Sequence, residues 1–261
     1  MVKPYQVLRR LGAALDWRWH YLVEGVTVGW RRFVARIRWR FDSRPGLLTL
    51  NGVRLRIGPH LSPYVLYCIR RGEYETREAE LVRRLLRPDD RVLELGAGLG
   101  FLTSLCALIV GSDRVMAYEA NPTLEAHIHE TFVLNNVSPA LHMVMADTGE
   151  GAATLHVTED FWTASRIPRP STASRAIAVP TRNVNSDIAV FRPTVLIVDI
   201  EGGERDLIPR LRLEGIRALI VEVHQSVIGL DGVEQMRRSL SERGFGLDES
   251  LHGVELFRHL E

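Results

Sequence analysis

The sequence predicts an α/β fold with a doubly wound, mainly parallel sheet, and three observations carry that reading. Short apolar runs at 92–95, 115–118, 141–145, 195–198 and 219–223 read as buried strands, with helical stretches at 100–110, 122–135, 204–213 and 232–243 among them. The first run opens directly into three alternating glycines, Gly96, Gly98 and Gly100. Acids close the other runs, at Glu119, Asp147, Asp199, Glu201 and Glu222. A sheet of this kind binds ligands at the carboxyl ends of its strands.

Two segments precede the alternation. Residues 5–41 carry apolar positions at steps of three or four, from Val7 through Trp19, Trp30 and Phe33 to Ile37, which is helical spacing. Gly12, Gly25 and Gly29 interrupt it, so two helices are expected. Residues 1–45 hold ten bases and three acids, a net +7, which leaves −6 on the remainder. Trp17, Trp19, Trp30 and Trp39 all lie there. Such a basic, Trp-rich extension has three readings: docking on the main domain or in a homodimer, peripheral membrane contact, or nucleic-acid binding. Residues 46–74 form a hairpin and linker. Asn51-Gly52 between alternating apolar residues predicts a type I′ turn, which needs two positive φ values. A helix over 78–86 then opens the domain 75–261. Within it, residues 154–157 and 176–181 read as paired strands around a loop at 159–175.

The chemistry concentrates at the strand ends. Val92-Leu93-Glu94-Leu95-Gly96-Ala97-Gly98-Leu99-Gly100 departs from the dinucleotide pattern Gly-x-Gly-x-x-Gly, because the third glycine comes one place early and Phe101 takes its slot. The spacing Glu-x-Gly-x-Gly-x-Gly is similar to the first motif of class I S-adenosylmethionine methyltransferases, which points to Glu94, Gly96, Ala97 and Gly98. Glu119 follows Gly96 by 23 residues and, with Ala120 beside it, sits where a carboxylate accepts both ribose hydroxyls. Asp147 is placed for an adenine amino group. Asp199 and Glu201 share one side of an extended chain, as do Glu222 and His224. Neighbouring strands bring these four to one rim, and competing carboxylates raise at least one pKa.

Together these residues resemble the FkbM family of S-adenosylmethionine-dependent methyltransferases, from about residue 74 to residue 225. The most specific pieces are Val198-Asp199-Ile200-Glu201-Gly202-Gly203-Glu204, similar to that family's Asp-x-Glu-Gly-x-Glu, and Glu222-Val223-His224, similar to its Glu-x-His. At the first motif the chain has Glu94-Leu95-Gly96-Ala97-Gly98 where the family commonly reads Asp-x-Gly-Ala-Asn. The resemblance implies a Rossmann-like seven-stranded sheet, S-adenosylmethionine as cofactor, and methylation of a hydroxyl on a sugar, glycan, lipid or polyketide. His224 and Asp199 are then candidate bases, with Glu222 orienting. Alternatively, Asp199, Glu201, Glu222 and His224 hold a divalent cation such as Mg2+.

Composition removes other classes. Of the 261 residues 46% are hydrophobic and 25% charged, which excludes collagen, coiled coil and disorder. Cys68 and Cys106 are too few for a disulfide framework, and neither follows a proline as a cytosine C5 nucleophile does. A reducing, cytoplasmic compartment is expected, with the inner membrane face as a second location. Position 199 begins Asp-Ile-Glu-Gly, not the Asp/Asn-Pro-Pro-Tyr/Phe of amino-methylating nucleic-acid enzymes, and the net −6 opposes phosphate. A nicotinamide oxidoreductase and a non-enzymatic, membrane-docked Rossmann-like binding protein stay as alternatives. The loop with Phe161, Trp162, Arg166 and Arg169 is expected to line the acceptor cleft.

Overall fold

The computed structural model describes residues 29–39, 41, 43–168 and 173–260. Helix α1 (29–39) leads to the hairpin β1 (Gly46–Leu50) and β2 (Val53–Ile57), then to α2 (Pro63–Arg70) and α3 (Thr76–Leu85). The first of the two helices expected in residues 5–41 lies outside the described residues. The alternating part begins with β3 (Val92–Leu95), α4 (Phe101–Val110), β4 (Val115–Tyr118), α5 (Glu125–Asn135) and β5 (Ala140–His142). Three strands then form a separate small sheet: β6 (Met145–Asp147), β7 (Gly151–Val157) and β8 (Arg175–Asn183), in the order β6-β8-β7. The chain continues through α6 (Val184–Phe191), β9 (Val195–Val198), α7 (Glu204–Leu207), β10 (Ala218–Glu222), α8 (Gln225–Ser241), β11 (Phe245–Leu251) and β12 (Val254–His259).

The main sheet has seven strands in the order β11-β12-β10-β9-β3-β4-β5. β10, β9, β3, β4 and β5 run parallel; β12 is reversed between β10 and the edge strand β11, which points the same way as the five. This is the expected α/β fold. β3 lies between β4 and β9, so the winding reverses beside it and opens a crevice at its carboxyl end.

Sequence alternation explains the two-sided core. Val92, Ile197 and Ile220 point to one face, where α4 and α5 cover them with Phe101, Leu105, Ile128 and Phe132. Leu93, Leu196 and Leu219 point to the other, against Leu207, Met236 and Leu240. Successive strand residues face opposite ways, so a strand buried on both faces is apolar throughout.

Four boundaries differ from expectation, each for a local reason. The run 141–145 splits, because β5 pairs with β4 while β6 turns away to pair with β8. The helix expected over 122–135 opens with a 3-10 turn at Pro122–Leu124, capped by the Asn121 side chain accepting from the Thr123 amide. The stretch 204–213 ends its α-helix at Leu207, ahead of Pro209. The last helix starts at Gln225, earlier than expected, and kinks at Gly229, whose φ is 71°. At the hairpin, Asn51 and Gly52 have φ 46° and 77°, as a type I′ turn requires.

Two latches fix the central strands. At their amino ends, the buried Asp90 accepts from Arg217 Nε at 2.9 Å, the Thr194 hydroxyl at 2.7 Å and the Arg87 amide at 2.7 Å. The residues leading into β3, β9 and β10 are thereby joined. At the carboxyl ends, Gly96 lies so close to Asp199 that a Cβ there would sit 1.7 Å from the Asp199 carbonyl oxygen. The Asp199 amide donates to the Leu95 carbonyl at 2.8 Å, and the Gly96 and Ala97 amides both donate to the Tyr118 carbonyl at 2.9 Å.

Gly96→Ala should therefore cost at least about 3 kcal/mol, since it adds both a clash and a side chain at φ 97°. Urea unfolding checks this, and an unchanged midpoint would contradict it. Burial raises Asp90, but Arg217, the Arg87 amide and Thr194 outweigh it and hold the carboxyl below the usual range. That stability is present above the ordinary aspartate pKa and is lost as pH falls through the depressed value. Asp90→Ala should cost about 2–3 kcal/mol near neutral pH, and the gap from wild type should close in acid. A gap that does not change with pH would refute the ion-pair account.

Candidate active site

The crevice beside β3 holds a cavity of about 350 Å³. Gly96 and Gly98 line one wall, and Glu119 and Ala120 at the end of β4 continue it. The Glu119 carboxylate accepts from the Gly98 amide at 2.9 Å and the Asn121 amide at 2.7 Å, so β4 and the glycine loop are held together by this acid. Burial nevertheless pushes its pKa up to about 7. Gly98 has φ 54°, and a Cβ there would lie 2.9 Å from the Tyr74 hydroxyl. Its missing side chain admits Tyr74, which stacks on Trp162 with ring centroids 6.0 Å apart. Phe161 and Trp162, on the 3-10 turn Phe161–Thr163, complete an aromatic wall.

Asp199, in contact with Gly96, and Glu201 also line the cavity, in the loop after β9. Glu201 holds φ 51°, a left-handed conformation rare outside glycine and asparagine. His224, just after β10, lies behind these acids with 11% of its side chain exposed. Its Nε2 is 3.3 Å from Glu201 Oε2, 3.6 Å from Asp199 Oδ1 and 3.9 Å from Glu222 Oε1. Its Nδ1 is 3.4 Å from Glu204 Oε1. The fully buried Glu204 also accepts from the Gly202 and His224 amides at 2.8 Å each, which ties the β9 loop to the β10 loop. Glu204 therefore does more than cap a helix.

The electrostatics of this wall are mutual. Burial and then Glu222 raise the Asp199 carboxyl well above the usual range. Burial lowers His224, but Glu201, Glu204 and Asp199 outweigh it and raise the imidazole well above its ordinary value. The imidazole is thereby set among acids that favour its cationic form, beside the other candidate base, Asp199. Asp199, Glu201 and His224 also offer three ligand atoms within 4.8 Å of one another.

Some expected site residues lie elsewhere. Glu94 is buried beneath the glycine loop and accepts from the Thr103 hydroxyl; burial raises its pKa to about 8. The alternation of β3 turns it toward α4, away from the cavity. Ala97 is buried behind the loop. Asp147 accepts from Arg166 at 2.7 Å and from Arg210 at 3.2 Å, and so positions two arginines that line the cavity. Arg169 lies outside the described residues. Sequence reasoning missed Tyr74, Glu75 and Arg210, all of which line the cavity. Glu75 has φ 46° at the start of α3, and burial raises its carboxyl well above the usual range. No local pattern announces these residues.

Over 66 residues the chain is 42% identical to the ribosomal RNA small subunit methyltransferase A of Streptomyces griseus subsp. griseus, covering 23% of this chain and 22% of that protein. It is 25% identical over 144 residues to the ribosomal protein L11 methyltransferase of Chloroflexus aurantiacus, covering 54% and 40%. The match thus spans about a fifth to two fifths of the length of these curated relatives. Among solved structures, M. jannaschii TYW2 in complex with AdoMet aligns with a TM-score of 0.43 and 14% identity, covering 83% of this chain and 87% of that one. The model of the methyltransferase FkbM domain matches residues 94–247, more than half of the sequence, and the chain belongs to that family.

Proposed function

We propose that the protein is an S-adenosylmethionine-dependent O-methyltransferase acting on a hydroxyl of a sugar, glycan, lipid or polyketide-type acceptor. The observation that carries this reading is one cavity lined both by a glycine loop with Glu119 and by the acids Asp199 and Glu201. The residues fit the cofactor. Gly96 and Gly98 line the cavity with bare backbone, Glu119 presents a carboxylate suited to a ribose diol, and an acid-rich lining favours a ligand that carries sulfonium and ammonium charges. The net −6 outside residues 1–45 argues against a nucleic-acid acceptor.

S-adenosylmethionine supplies the methyl group when bound, leaving as the neutral thioether once its S–C bond breaks. The chain aligns the acceptor and takes its proton as the O–C bond forms; alignment is worth about 7–11 kcal/mol. Asp199 lines the cavity, so we assign it the proton; its buried Oδ1 lies 3.6 Å from His224 Nε2. His224, from behind, positions Asp199 and Glu201. Tyr74, Phe161 and Trp162 form a surface on which a sugar or other ring can stack.

A second reading adds a divalent cation on Asp199, Glu201 and His224, favoured by their spacing. Loss of turnover on dialysis with chelator, restored by Mg2+, would support it. Full turnover after dialysis would remove it.

Tritiated methyl transfer to a panel of glycans, glycolipids and polyketide alcohols tests the main reading. Label should appear as a base-stable methyl ether; label released by base as methanol, or recovered only in RNA or protein, would contradict it. Glu119→Ala should weaken S-adenosylmethionine binding at least about ten-fold by calorimetry, as two charge-assisted hydrogen bonds are lost. Unchanged affinity would refute the ribose role. Asp199→Asn should lower turnover about 10²-fold or more. His224→Ala should depress turnover with cofactor affinity nearly intact, and normal turnover would remove it from the mechanism.

A further inference from the structure

Helix α1 has two dissimilar faces. Its inner face docks on the body. Ala35 is buried there, Trp39 packs against the core, Arg31 pairs with Glu73 at 2.5 Å, and Arg32 pairs with Asp160 at 2.6 Å while lying over the Tyr64 ring. Its outer face carries Trp30, Phe33 and Ile37, continued by Phe41, and these are 64%, 55%, 55% and 77% exposed. At about 100° per residue these four fall within an arc of about 80°, opposite Arg32, Ala35 and Trp39. Trp30 and Phe33 touch, with ring centroids 5.7 Å apart. The exposed Arg36 and Arg38 fall on the two flanks of this arc.

We propose that this outer face docks on an anionic lipid surface. An aromatic stripe flanked by arginines is the pattern of a helix lying in the membrane interface, with rings in the acyl boundary and guanidinium groups at the headgroups. Among the described residues no helix is long and apolar enough to cross a membrane. Charge selects the occupant. Residues 1–45 carry +7, which anionic headgroups attract. A second copy using the same face would bring +7 against +7 across a twofold axis, which disfavours a homodimer here. The inner-face ion pairs hold the stripe at a fixed orientation. One of them, Arg32 to Asp160, reaches the residue that begins the turn bearing Phe161 and Trp162 of the cavity wall.

Flotation of the full chain with vesicles tests the proposal. The wild type should float with phosphatidylcholine vesicles containing one third phosphatidylglycerol and stay in solution with phosphatidylcholine alone. The triple variant Trp30→Ser, Phe33→Ser, Phe41→Ser, with an unchanged thermal midpoint, should lose about ten-fold or more of the bound fraction. Arg36→Glu with Arg38→Glu should remove the preference for anionic lipid. A folded triple variant that floats as well as the wild type would overturn the proposal, moving any binding to residues 1–28. So would a wild type that ignores anionic vesicles, or one that is a dimer by light scattering while the triple variant is a monomer.

Discussion

The site depends on the contact between Gly96 and the Asp199 carbonyl. A backbone approach that leaves 1.7 Å for a Cβ brings the ends of β3 and β9 together with no side chain between them. Gly96 and Ala97 then donate to Tyr118, and Asp199 donates to Leu95. Three strand ends are locked at their carboxyl edge, and the loops that leave them diverge around the cavity. The Asp90 latch does the same at the other end of the strands, where no ligand chemistry is needed and a satisfied ion pair is enough.

Around this contact the structure gathers more negative charge than a stable fold requires. Asp199, Glu201, Glu204 and Glu222 surround His224, with Glu75 on the cavity wall. Burial raises the Asp199, Glu222 and Glu75 carboxyls above the usual range, which disfavours their all carrying charge at once. Glu75 and Glu201 are also held in left-handed backbone conformations. Strain and crowded acids cost stability, and both gather where a cationic ligand would relieve the crowding.

Much of this was legible in the sequence because it rests on short-range rules. Alternating glycines after an apolar run mark a turn that side chains would block. Asp199 and Glu201 do meet beside His224, but through the loop after β9, with Glu201 at φ 51°, not along an extended chain. Asn51-Gly52 names its own turn. The period-two rule of strands could have turned Glu94 inward, since it shares a face of β3 with Val92. The rest depends on distant partners. Asp147 meets arginines 19 and 63 residues away, and the Tyr74 hydroxyl accepts from an amide 25 residues on. The split of 141–145 was hidden as well, because an apolar run does not say which strand it will pair with.

The most direct test of the central claim is a crystal structure of the chain with S-adenosylhomocysteine. The ribose hydroxyls should lie at the Glu119 carboxylate, the amino acid moiety against the Gly96–Gly98 loop, and the sulfur facing Asp199. A nucleoside bound elsewhere, or one whose ribose avoids Glu119, would contradict it.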